Sequence, residues 1–347
     1  MRRPWPTREF TYNAGMSAHT LLIPFALPPA EHAKDLLKSL RLPALATLLA
    51  RASDHRLHGA DPFAPALPHE CWLAGGSTDN SPPVAHALMQ ALGLTSSADG
   101  HWFLLQPVHL HIARDHLVLT DPQALPVSDA EARGLFDAIA PLVREAGHDL
   151  AFGDARHWFL RADGWSGLRT CTPAAASGHN VDIWLPRGAG ERDWRRLHNE
   201  VQMLWHQHPL NEARDASGLP RINALWLWGG SDAPAATGLP SSAPAALPAP
   251  AYVNYLLGQY ANAALTIDTR LVSPSLAGDW SAWLAAMQAL EAERFAPLLA
   301  SLKSSTPGEA ALLLSDAGRL AEWRVTRHGM RKFWQSPSLS RLASLPA

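Results

Sequence analysis

The residues of this chain best suited to chemistry lie between His208 and Asn223. There His208, Asn211 and Arg214 recur at every third position, and Asn223 follows a Gly218-Leu219-Pro220 spacer. A guanidinium offers paired donors to a phosphate or carboxylate and an asparagine amide adds a neutral donor, so this set can hold a small anion. The same residues also suit a turn. Pro209 ends the preceding helical pattern, Asn211 can cap the next segment, and Arg214 can pair with Asp215 or Glu212 at the surface. The spacing alone leaves both readings open.

Imidazoles form the second group. His109 and His111 stand two apart on a predicted strand and share a face, with His116 across the following turn, a geometry that zinc uses. An isolated His pair on a strand more often packs or lies at the surface, and a chain with 17 His supplies such pairs freely. His179, His198, His206 and His208 are looser still, since His198 and His206 are two helical turns apart and not the four residues of a His clamp. Ser166 in Gly164-Trp165-Ser166-Gly167 falls one residue short of a nucleophile elbow and reads as a turn. No Walker loop, Gly-x-Gly-x-x-Gly, His-Glu-x-x-His or EF-hand loop occurs. The residues therefore imply no cofactor, with manganese or zinc the alternative if the protein is an enzyme.

These groups need a scaffold, and 347 residues with 47% hydrophobic content are enough to build one. Charged residues are only 17% and the formal charge is -2, which argues against a nucleic-acid or acidic-lipid surface. Cys71 and Cys171 sit in no metal-type spacing, so a reduced, cytoplasmic setting is expected. No apolar run approaches the 18 or more residues of a membrane span. Residues 1–15 read as a disordered extension ahead of Met16.

Beyond them, alternating helical and strand patterns predict an α/β fold, a mixed sheet with packed helices. Strands are expected at His19–Ala26, as a hairpin over Trp102–Asp121 turning at Arg114 and Asp115, at 149–152 and 157–161, at Val181–Leu185, at Ile222–Trp228 and at Ala310–Leu314. Helices are expected over 36–49, 84–92, from a capping box at Ser128 to Glu131 onward, through Trp194–Trp205 and over Trp280–Leu302. Residues 54–82 read as loop. Most of the 14 Trp, among them Trp194, Trp205, Trp226 and Trp228, fall on core-facing stripes. The expected organisation is an α/β domain over 16–230 and a Pro/Ala/Ser-rich linker or insertion at 231–250. A C-terminal segment, 251–347, then completes the same core.

His208-Pro209-x-Asn211-x-x-Arg214, the Gly218-Leu219-Pro220 spacer, Asn223 and Trp226-Leu227-Trp228-Gly229 resemble a pattern of the archaeal-type, cofactor-independent phosphoglycerate mutases. Residues 102–230 resemble the substrate domain of that family, joined to a reduced phosphatase-like core. With Leu21-Leu22-Ile23-Pro24-Phe25-Ala26, residues 19–335 look closer still to bacterial regulatory proteins of RpfE type. The first resemblance implies the alkaline-phosphatase superfamily, two divalent metals, a Ser nucleophile and an Asp-Gly motif at the end of the first strand. Here that strand ends in Pro24-Phe25-Ala26, no Asp-His pair follows in the C-terminal half, and the Arg expected beyond the hairpin is missing.

What the resemblance implies, less these residues, is a non-catalytic, regulatory or ligand-binding homologue. It would take a small phosphorylated or anionic metabolite at His208, Asn211, Arg214 and Asn223. An active metal-dependent mutase or phosphatase with a rebuilt site is the alternative. A further one is a scaffold that holds a protein partner through 231–250 and the basic-aromatic C-terminus.

Overall fold

In the computed structural model, which describes residues 19–59, 61, 63–76, 79–94, 99–113, 116–232, 250–261, 264–304 and 308–343, the first apolar run forms β1 (His19–Ile23). Two helices follow, α1 (Ala33–Ser39) and α2 (Pro43–Arg51). They break at Leu42-Pro43 because proline suits the first helical position and disfavours helical backbone in the residue before it. The stretch expected as loop contains β2 (Asp54–Gly59) and α3 (Pro68–Leu73). β2 is a polar edge strand, defined by its partner and not by its composition.

Next come α4 (Ala85–Ala91), β3 (His101–Val108), β4 (Leu110–Ala113) and β5 (His116–Leu119). The single hairpin expected over 102–121 is divided, with β4 and β5 forming a two-stranded sheet of their own while β3 joins a larger one. Arg114 and Asp115 lie outside the described residues. The capping box opens α5 (Asp129–Glu145) as expected, with Ser128 Oγ accepting from Glu131 N and the Glu131 carboxylate accepting from Ser128 N. After β6 (Asp149–Phe152), β7 (Trp158–Arg161) and α6 (Pro173–Ala176), the segment expected as a strand is a 3-10 turn at Val181–Ile183. Asn180 Oδ1 accepts from Asp182 N at 3.0 Å there, which ties the backbone into a local turn. α7 (Glu191–His206), α8 (Pro209–Ala216) and β8 (Ala224–Asp232) complete this part.

Residues 233–249 of the expected linker lie outside the described residues. The chain continues with α9 (Pro250–Leu256), β9 (Leu265–Ile267), α10 (Val272–Leu276), α11 (Trp280–Leu290) and α12 (Ala296–Ser304). It ends with β10 (Glu309–Ser315), β11 (Arg319–Thr326) and α13 (Ser340–Ala343). The long helix expected over 280–302 is interrupted by a π-helical turn at Glu291–Phe295. That turn presents the Glu291 carboxylate to the first free amides of α2, Ala44 N at 2.5 Å and Leu45 N at 3.2 Å.

Two units result, one of residues 1–63, 68–76 and 243–347, the other of 64–67 and 77–242. The first holds a mixed five-stranded sheet in the order β2-β11-β10-β1-β9, with β1 parallel to both β10 and β9. Leu21, Leu22 and Ile23 are buried on both faces of the strand, as an interior parallel strand requires. The second unit holds an antiparallel sheet, β6-β7-β3-β8. Phe103, Leu105, Trp158, Leu160, Leu225 and Leu227 of that sheet pack against Leu135, Ile139 and Val143 of α5 and Trp194, Leu197, Val201 and Trp205 of α7. Trp226 and Trp228 point to the other face, each with its indole N–H satisfied, by Cys171 O and Gln106 Oε1 respectively. Among the described residues no helix is long and apolar enough to cross a membrane.

Candidate functional site

The segment from Trp205 to Asn223 is built in the second unit as an internally bonded clamp. His208 caps α8, its Nδ1 accepting from Leu210 N at 3.2 Å. Asn211 is fully buried. Its Nδ2 donates to Trp205 O and Ile222 O, and its Oδ1 accepts from Ile222 N, so one side chain ties the end of α7 to the approach of β8. Asn223 binds Leu110 in both directions, Oδ1 from its N–H and Nδ2 to its carbonyl, each at 2.8 Å. Arg214 does not pair with Asp215 or Glu212. It is 2% exposed, and its guanidinium donates to Pro220 O (2.7 Å), Pro126 O (2.8 Å) and Glu131 Oε1 (2.6 Å). Partial burial works against the Glu131 charge, but its bonds with Ser128 and Arg214 hold the carboxyl below its usual range. The four residues singled out in the sequence therefore lie together, with their polar atoms turned onto protein groups.

The histidine triad does not form. His109 Nδ1 donates to Arg221 O at 2.7 Å, and burial lowers its pKa against that bond. His111 stacks beside it at 6.1 Å with Nδ1 3.3 Å from Thr120 Oγ1, while His116 lies opposite Ala113 in the β4–β5 register. Burial pushes the His198 pKa down to about 4, and its ring is bonded to the Leu225 backbone. Among the described residues no three of His, Cys, Asp or Glu converge as metal ligands do.

The carboxyl ends of the parallel strands β1, β9 and β10 share one edge of the first unit, the place where open α/β sheets put ligands. Phe25 beyond β1 has φ 60, a left-handed conformation strained for a bulky residue. Its amide donates to Ser315 Oγ at the end of β10 (3.4 Å), and its carbonyl accepts from Trp283 Nε1 (2.9 Å). Ser315 Oγ lies 3.5 Å from His69 Nδ1, whose Nε2 is 3.4 Å from Tyr255 OH. His69 and Ser315 are fully buried, and burial lowers the His69 pKa to about 3, so the imidazole is neutral. At the end of β9 the buried Asp268 carboxylate is taken by Arg270 (2.8 and 2.9 Å) and Arg294 (2.8 Å). The sequence held a trace of this edge, because short apolar strands stop at Asp268 and Ser315. His69, from a stretch read as loop, carried no such signal.

No family model matches the chain. It is 30% identical over 158 residues to the probable 2,3-bisphosphoglycerate-independent phosphoglycerate mutase of Geobacter sulfurreducens, covering 45% of this chain and 39% of that protein. It is 27% identical over 125 residues to the enzyme of that name from Methanosarcina mazei, 35% of this chain and 32% of that protein. Over these stretches the chain is similar to phosphoglycerate mutases. The matched stretches span less than half the length of these relatives. Among solved structures, a cofactor-independent phosphoglycerate mutase from Thermoplasma acidophilum aligns over 95% of this chain and 96% of its own, at 13% identity and TM-score 0.37. The PH0037 protein from Pyrococcus horikoshii aligns over 90% and 88%, at 13% identity and TM-score 0.42.

The mutase resemblance implies two divalent metals with a ligand at the end of the first strand. The residues at that edge do not fit them. Phe25 and Ser315 occupy two strand ends, the carboxylate at the third is neutralised by two guanidiniums, and the His69 imidazole is enclosed between the Ser315 and Tyr255 hydroxyls.

Proposed function

We propose that this protein is a non-catalytic, regulatory or ligand-binding homologue of the cofactor-independent phosphoglycerate mutases, a cytoplasmic bacterial protein of RpfE type. The observation that carries the reading is the carboxyl edge of the first sheet. A two-metal phosphoryl-transfer centre needs several anionic and imidazole ligands converging on ions about 4 Å apart. At that edge a strained Phe25, a buried Ser315 and a neutral His69 form an uncharged hydrogen-bonded chain instead. The His208–Asn223 segment, with Arg214 spent on Glu131 and two backbone carbonyls, serves in this reading as inherited architecture.

The names of the two sequence relatives favour the alternative, an active metal-dependent mutase. Turnover of 3-phosphoglycerate with manganese, cobalt or zinc, together with metal analysis of the purified protein, separates the two. The expected result is no bound stoichiometric metal and no conversion. Conversion at an ordinary enzyme rate, roughly 1 to 1,000 per second, overturns the proposal.

A further inference from the structure

A cleft of about 440 Å³ opens on the second unit, where the last turn of α5 meets β6, the end of β7 and the start of β3. Its size falls in the range of small-molecule sites, about 300–1,000 Å³. Arg144, His148, Asp149, Arg161 and Asp99 line it, with the indole of Trp102 as a wall. The lining is built and not incidental. Arg161 is held by Asp163, through Nε at 3.2 Å and Nη2 at 3.0 Å, and its Nη1 stands 3.8 Å from Asp149. Asp163 is fixed in turn by His101 N at 2.7 Å. Gly100, at φ 92, leaves this pair its room, because a Cβ there would lie 2.4 Å from both Arg161 Nε and Asp163 Oδ1. Trp102 Nε1 donates to Asp99 O at 2.9 Å, which anchors the segment that carries the Asp99 carboxylate.

The geometry points to this cleft as the binding site of a small zwitterion of the α-amino acid type, its carboxylate on Arg144 and Arg161 and its ammonium on Asp99 and Asp149. The charges decide between ligand classes. A phosphate dianion would meet the two guanidiniums, but also both carboxylates and the carbonyl end of α5, whose dipole favours cations. Arg161 already has Asp163 on one side, but a simple amine would leave Arg144 unanswered, and a simple carboxylate would leave Asp99 unanswered. A zwitterion answers both pairs, and burial keeps His148, bonded to the Arg161 backbone, below its usual pKa and uncharged in the floor. Ala140, Leu150 and Ala151 make up the remaining lining, so the ligand side chain is small and apolar or uncharged.

Calorimetric titration of the full-length protein tests this with glycine, L-alanine, L-serine and L-valine, their N-acetyl and amide forms, and 3-phosphoglycerate. At least one free amino acid should bind saturably at millimolar concentration or below, with both blocked forms weaker by about tenfold or more. Arg144 and Asp149 are exposed, so Arg144→Ala and Asp149→Asn should fold normally. Each should weaken binding by about tenfold or more, the loss expected for one charge-assisted contact, at an unchanged melting temperature. Absence of saturable binding by any free amino acid, equal binding of the blocked forms, tighter binding of 3-phosphoglycerate, or unaltered affinity in both variants would each overturn the assignment. The outcome is independent of the mutase test above, since the edge of the first sheet contributes nothing to this cleft.

Discussion

Arg214→Ala removes the cation that joins α8 to the capping box of α5. Three bonds are lost at once, to Pro220 O, Pro126 O and Glu131 Oε1, from a side chain 2% exposed. Glu131, whose side chain is 21% exposed, is left charged with only Ser128 for support. Breaking a buried pair by deleting one partner costs about 3–5 kcal/mol. Because Glu131 retains some contact with water, the lower half of that range applies, about 3–4 kcal/mol. For a unit of this size each kcal/mol moves the melting temperature by about 2–4 °C, so the second unit should melt roughly 6–16 °C lower. Calorimetry of the unliganded protein measures the shift, and the double variant Arg214→Ala/Glu131→Gln should recover part of it if the two are coupled. A shift under about 2 °C would mean that the guanidinium bears no structural load. The anion-binding reading of His208, Asn211, Arg214 and Asn223 would then regain its footing.

Asn211→Ala should behave like Arg214→Ala, lowering the melting temperature of the second unit by several degrees, because it strips three bonds from a fully buried amide. Acid should destabilise both units. His69 and His198, with pKa values near 3 and 4 in the fold and about 6.5 when unfolded, take up protons on unfolding between those limits. Their stability contribution is intact above about pH 6.5, and by pH 5 each loses about 2 kcal/mol, so urea midpoints that stay flat from pH 7 to 5 refute the assignment. Gly100→Ala should destabilise the second unit by more than about 1 kcal/mol, since the left-handed backbone and the 2.4 Å approach to Arg161 both penalise a methyl group. Glu291→Gln should cost the first unit about 1–2 kcal/mol through the weakened cap on Ala44 and Leu45, visible as a lower denaturant midpoint at an unchanged slope.

The sequence carried the elements whose evidence is local. The Ser128 capping box, the Trp194–Trp205 stripe and the alternation of Trp226 and Trp228 each announce structure within a dozen residues, and each stands where its spacing puts it. Elements that owe their form to distant partners were illegible. β2 is a strand because β11 lies beside it, and the π turn at Glu291 answers amides at Ala44 and Leu45. Val181–Leu185 misled in the opposite direction, since a strand-like composition lost to the local bond of Asn180. The candidate site followed the same division. His208, Asn211, Arg214 and Asn223 were gathered by proximity in the chain. The partner that decides the state of Arg214, Glu131, was visible only as half of a cap, and the His69–Ser315 contact joins residues with no common motif.

β1 is made early and finished late. Its two neighbours, β9 and β10, are encoded beyond the whole of the second unit, so a growing chain must carry Leu21, Leu22 and Ile23 unpaired until the C-terminal residues emerge. The second unit has all four strands of its larger sheet once residue 232 is out and depends on no later segment for that sheet. Synthesis therefore favours an order in which the inserted unit closes first, while the ends of the chain search for each other across it. Such long-range parallel pairing is slow and leaves an apolar strand edge open to other chains in the meantime. The apolar β1 strand is thus the segment most exposed to aggregation during biosynthesis, and truncations that remove β10 should leave a soluble second unit tethered to an unpaired, chaperone-dependent N-terminus.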